Sequence, residues 1–114
     1  MGKAQRRKGA NGEREVVHKF REHGIELLRV PNSGGLKRRM EERGDLLGLP
    51  GYNVEVKRQE KASIWEWCKQ SELDAAFDGV IPLVIFRRNN DKWRVVLPLD
   101  DFIGLYLDAN KSKE

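Results

Sequence analysis

The sequence predicts an α/β fold: a mixed five-stranded sheet flanked by helices, in the order α-β-β-β-α-β-β-α. Three observations carry this. Apolar residues recur at helical spacing near both ends of the chain and again in its middle. Between those stretches lie short apolar runs bounded by Gly, Pro and Asn, the punctuation of strands. The 114 residues suit one domain with a core of modest size, and there is no internal repeat or low-complexity linker.

Taken in order, residues 1–10 read as a disordered basic arm. Asn11 can cap a helix over about residues 12–23, with Val16, Val17 and Phe20 as its inward stripe and Gly24 as its end. "IELLRV" is a strand stopped by Pro31, and "PNSGGLKRRMEERG" is a long polar loop. Asp45 to Leu49 and Tyr52 to Arg58 form an antiparallel pair turned by Pro50-Gly51. Ile64 to about Phe77 is helical, with Trp67, Cys68 and Ser71 able to share a face. "VIPLVIFRR" and "KWRVVLPL" make another strand pair joined at Asn89-Asn90-Asp91. Asp100 or Asp101 starts a last helix to about Asp108, and residues 109–114 are a frayed tail. In that helix Phe102, Ile103, Leu105, Tyr106 and Leu107 spread over about 200°, wider than the ~100° stripe that one core needs. The surplus is expected to face a second copy of the chain, in a two-fold homodimer.

Composition narrows the chemistry. No stretch approaches the ~20 apolar residues of a membrane span. "MGKAQRRKGANG" lacks the apolar segment of a secretory signal, so the expected location is the cytoplasm. One cysteine and two histidines are poor material for a closed zinc site. Residues 1–43 hold 12 Lys or Arg against 6 acids, whereas residues 44–114 hold 10 against 12. This asymmetry favours a polyanionic partner, nucleic acid, met through the N-terminal half.

Phosphate loops, dinucleotide fingerprints and nucleophile elbows are missing. His18 and His23 read as surface residues, Trp65, Trp67 and Trp93 as packing residues, and Cys68 as a small core hydrophobe. What remains is "GDLLGLPGYNVEVKRQ", residues 44–59. Side chains alternate along a strand, so Val54 and Val56 share one face, and Glu55 and Lys57 the other. An acid and an amine so placed can be an ordinary solvated face. They can also be a metal site. Asp45 on the neighbouring strand supplies a second carboxylate, and two such groups suit Mg²⁺, a hard cation that takes oxygen ligands. Lys57 can orient an attacking water or stabilise charge on phosphorus. Glu13, at the start of the first helix, is a further candidate acid. No other Asp or Glu in the chain has a Lys two positions later.

"GD" at 44–45 with "EVK" at 55–57 resembles the bipartite motif of the PD-(D/E)XK nucleases, with Gly44 where the family usually has Pro. The wider pattern is similar to that of archaeal-type and phage-encoded Holliday-junction resolvases. It comprises the basic N-terminus, "GERE" at 12–15, "PNSGG" at 31–35, the motif pair, and "KQ" at 69–70. The resemblance implies a restriction-endonuclease-like core, with residues 11–108 a single nuclease domain. It implies metal-dependent hydrolysis of branched DNA with Mg²⁺, or Mn²⁺ as a substitute. Glu13, Asp45, Glu55 and the main-chain carbonyl of Val56 would be the ligands, and Lys57 the catalytic lysine. Ser33 and Arg14 would assist with phosphate, and Gln70 would stand near the site. DNA contacts would come from Arg6, Arg7, Lys8, Arg14, Arg29, Lys37, Arg38, Arg39 and Arg58. Two alternatives stay open: the same site acting on flaps or other DNA structures, and a non-catalytic nucleic-acid-binding module.

Overall fold

The computed structural model describes residues 3–30 and 44–111. Its elements run in the expected order: α1 (Lys3–Arg21), β1 (Leu28–Arg29), β2 (Leu46–Leu47), β3 (Tyr52–Arg58), α2 (Ile64–Asp78), β4 (Ile81–Arg87), β5 (Arg94–Val96) and α3 (Leu99–Lys111). The strands form one mixed sheet in chain order, antiparallel except where β3 and β4 pair in parallel. Parallel neighbours need a crossover of about a dozen residues or more. The 15 residues of α2 supply it.

That crossover decides the environment of β3. On one face of the sheet α1 lays Val16 against Val54, Val56, Leu83 and Ile85, with Leu27 and Leu46 closing the cluster. Burying each such side chain is worth about 1.5–3 kcal/mol. On the other face α2 brings Trp67, Ser71 and Ala75, all buried. There the Trp67 ring packs against Phe86 at 5.6 Å between centroids. The centre of β3, Asn53 to Val56, is therefore buried on both sides. The solvated face that simple alternation allowed for Glu55 is not what forms, because a helix covers it.

Several boundaries differ from expectation. α1 begins at Lys3, so residues 3–10 are helical rather than a disordered arm, and Asn11 lies inside the helix instead of capping it. Ala, Gln, Lys and Arg in that segment are good helix formers, which explains the extension. α3 likewise runs on to Lys111, past the expected end at Asp108. β1 is two residues long instead of six, matching the two residues of β2 that it pairs with. Trp65, expected to pack, is 86% exposed, and Cys68 is only partly buried.

Two glycines set close approaches to β3. A Cβ on Gly12 would stand 3.1 Å from the Cβ of Arg58, so α1 lies tight against the end of β3 there. Gly44 has φ +86°, and a Cβ on it would come within 2.9 Å of both the Asn53 side-chain oxygen and the Val54 carbonyl. Gly44→Ala should therefore lose about 2–4 kcal/mol of stability, from backbone strain plus the clash with β3. Gly51→Ala, at φ +87° with nothing within 4 Å of its Cβ, should lose only about 1 kcal/mol. Urea denaturation of the two variants measures the difference, and equal losses would show that Gly44 is not wedged against the strand.

Candidate active site

Asp45 lies immediately before β2 and is held beside β3 by two main-chain bonds and one through its side chain. The Asp45 N–H donates to the Val54 carbonyl at 2.7 Å, and its carbonyl accepts from the Val30 N–H at 2.9 Å. Its carboxylate accepts the Val56 N–H at 2.7 Å. A side chain thus takes the place of the next rung of the sheet ladder. The Val56 carbonyl leaves the strand on the same edge as its N–H, the edge toward Asp45.

Glu55 is 3% exposed between these residues and α2. Asn53, equally buried and two residues earlier on the same face, donates to its carboxylate at 3.2 Å. Burial first, then the negative charges of Asp45 and Asp74, push the Glu55 carboxyl up to about 7, against the Asn53 bond and the Lys57 charge. Glu13 reaches the same region from α1. Its carboxylate accepts from the Arg29 guanidinium at 2.9 Å. Burial and the Asp45 charge raise its pKa as well, opposed by Arg29. Asp45 is thus a charged neighbour that Glu13 and Glu55 have in common.

Of the residues expected from sequence, Glu13, Asp45, Glu55 and Lys57 come into one electrostatic cluster. Asp74 was not expected there. Its signal was helical phase: it lies three residues after Ser71 and next to Ala75, both buried on the inner face of α2. The other expectations divide. Gln70 is exposed on α2. Arg14 is exposed and donates to Asn11 at 3.0 Å. Arg29 is engaged by Glu13, Lys8 pairs with Glu60 at 3.4 Å, and Arg7 is exposed. Arg58, expected among the DNA contacts beside the acids, points to the opposite face and pairs with Glu15 at 3.4 Å. Strand alternation sends it there, one residue past Lys57. Ser33, Lys37, Arg38, Arg39 and the Arg6 side chain lie outside the described residues.

Among the described residues no three His, Cys, Asp or Glu side chains are gathered tightly enough to form a ready metal cluster. The donor chemistry nevertheless fits a hard divalent cation. Asp45, Glu55 and the Val56 carbonyl offer oxygen alone, and the charges that push the Glu55 carboxyl upward are those a cation would neutralise. No helix among the described residues is long and apolar enough to cross a membrane.

The family model described as phage putative PDDEXK endonuclease matches residues 4–113. Among solved structures, the chain is similar to Hjc of Archaeoglobus fulgidus, a Holliday junction resolvase from an archaeal hyperthermophile. That likeness has a TM-score of 0.57 at 21% identity, covering 78% of this chain and 76% of that one. It shows that the two share the restriction-endonuclease-like fold. No curated protein sequence matches the chain.

The raised Glu55 pKa has a consequence for stability. The folded protein holds a proton that the unfolded chain releases near pH 4.5, so with metal chelated, stability should fall as pH rises from about 4.5 to about 7. The loss should approach about 3 kcal/mol. Glu55→Gln should flatten that slope and be the more stable protein at pH 8. Urea unfolding in EDTA across this range measures both, and a slope unchanged in the variant would assign it to other groups.

Proposed function

The chain belongs to the phage putative PDDEXK endonuclease family, and from that premise we propose that it hydrolyses phosphodiesters of branched DNA with Mg²⁺, acting in the cytoplasm as a Holliday-junction resolvase. The observation that carries the reading is the Asp45 carboxylate bonded to the Val56 N–H, which sets it beside buried Glu55. The likeness to the archaeal resolvase supports the choice of substrate.

Asp45, Glu55 and the Val56 carbonyl would hold the ion, with Glu13 beyond Asp45. Bound there, it supplies Lewis-acid polarisation of the phosphodiester and a more acidic water. The protein's own groups do the rest. The Val56 N–H keeps the Asp45 carboxylate from turning away, and the Asn53 amide fixes one oxygen of Glu55. Lys57, one pleat beyond Glu55 on the same face, places an ammonium where charge builds on the phosphate oxygens. Arg29 holds Glu13 at the edge of the cluster.

A four-way junction presents two opposed strands, and this chain has one such cluster, so the reading includes a two-fold homodimer. α3 supports it more strongly than its sequence arc implied. It has no buried residue, and Phe102, Tyr106 and Leu107 are each more than half exposed. An apolar helix face of that extent is the usual mark of an interface.

Asp45→Asn, Glu55→Gln and Lys57→Ala should each lower cleavage of a labelled junction by at least about 100-fold while leaving binding intact. EDTA should abolish cleavage by the wild-type protein. Parallel reactions on flap and linear duplex show whether the junction is preferred, and full activity in either acid variant would remove the site. Light scattering should give about twice 13.2 kDa, and Phe102→Asp with Tyr106→Asp should halve that mass. A monomeric wild-type protein would remove the dimer but leave the catalytic cluster standing.

A further inference from the structure

On the α1 side of the sheet, at the end where β3 and β4 finish, lies an open cleft of about 860 Å³ that the catalytic cluster does not use. Lys19 comes to it from α1, Arg58 from β3, Arg87 from β4, and Lys92 and Trp93 from the β4–β5 connection. Four cations face two acids, Glu15 and Asp91. Glu15 is shared. It accepts from Arg87 at 2.7 Å and pairs with Arg58 at 3.4 Å, so one carboxylate serves two guanidinium groups.

The arginines are preorganised. Arg87 is gripped by Glu15 through two of its nitrogens and lies over the Trp93 ring at 5.1 Å. The buried Nε of Arg58 has no hydrogen-bond partner. At the rim, Lys19 and Lys92 are exposed, and among the described residues neither forms an ion pair. Rigid arginines below and uncommitted lysines above suit a polyanion that can touch several cations at once. The cleft is too open to enclose a single small anion. Arg58 follows Lys57 in β3, so the cleft opens at the same end of that strand as Lys57 but on the other face of the sheet.

We propose that this cleft is a second DNA-backbone site, binding phosphates of a substrate arm beyond the scissile bond. The proposal rests on the nuclease reading above and deepens it. Fluorescence anisotropy of a labelled four-way junction, in EDTA and over a range of salt, tests it. Each lost phosphate contact lowers the slope of log affinity against log salt by about 0.9, so Lys19→Ala with Lys92→Ala should lower it by about 1.8. Turnover at saturating junction with Mg²⁺ should stay at the wild-type value. Lys69→Ala with Lys111→Ala removes the same charge from α2 and α3 and should leave the slope unchanged. An unchanged slope in the cleft variant, or an equal fall in the α2/α3 variant, would overturn the cleft while leaving the nuclease intact. Failure of the wild-type protein to bind any DNA would overturn both readings, and cleavage assays tell the two failures apart.

Discussion

Glu55 is a carboxylate in the middle of a strand that two helices bury, and the rest of the structure depends on how that charge is accommodated. An isolated ionised carboxylate in such a place costs several kcal/mol or more. Here the surroundings lessen the cost only in part. Asn53 donates to Glu55 and Lys57 adds a positive charge, but Asp45 and Asp74 add negative ones, so its carboxyl rises to about 7. A core built for stability alone would not set two further acids where their charges act on a buried glutamate. The arrangement has a physical rationale if a cation completes it, as the proposed metal-dependent hydrolysis requires.

Asp45 ties that cluster to the sheet. By accepting the Val56 N–H it fills a ladder position with a side chain, so the carboxylate is held as firmly as a main-chain group. Gly44 makes this possible. Its positive φ turns the chain into β2, and the missing side chain lets β2 lie against Asn53 and Val54. The position that the family usually fills with Pro thus serves here through conformational freedom at a tight approach, not through rigidity.

The two faces of β3 carry different groups. Toward α2 stand Asn53, Glu55 and Lys57. Toward α1 stand the core residues Val54 and Val56, then Arg58 joined to Glu15. Gly12 lets α1 come close enough for Glu15 to reach both Arg58 and Arg87, and the same helix offers Glu13 to the acids. One helix therefore contributes to both the acidic cluster and the basic cleft. α3 stands apart from this scheme, with apolar side chains and no buried residue.

The order of elements, the span of β3 and the pairing of Asp45 with the Glu55–Lys57 strand were legible in the sequence, because they follow from local rules. Strand periodicity, turn residues and a unique Glu-x-Lys all act over a few positions. Those rules also put Glu55 and Lys57 on one face. They could not say that a helix covers that face, because burial there arises from β4 pairing in parallel with β3 and α2 crossing over. Nor could they bring in Asp74, whose charge acts on Glu55 only once α2 is docked. The direction of Arg58 was implicit in strand alternation, but its partner Glu15 lies 43 positions away and is brought near by the packing of α1 at Gly12. Identity and face are properties of neighbouring residues, and the sequence determined them. Burial, pKa and the choice of partner belong to residues far apart in the chain, and only the tertiary structure decided those.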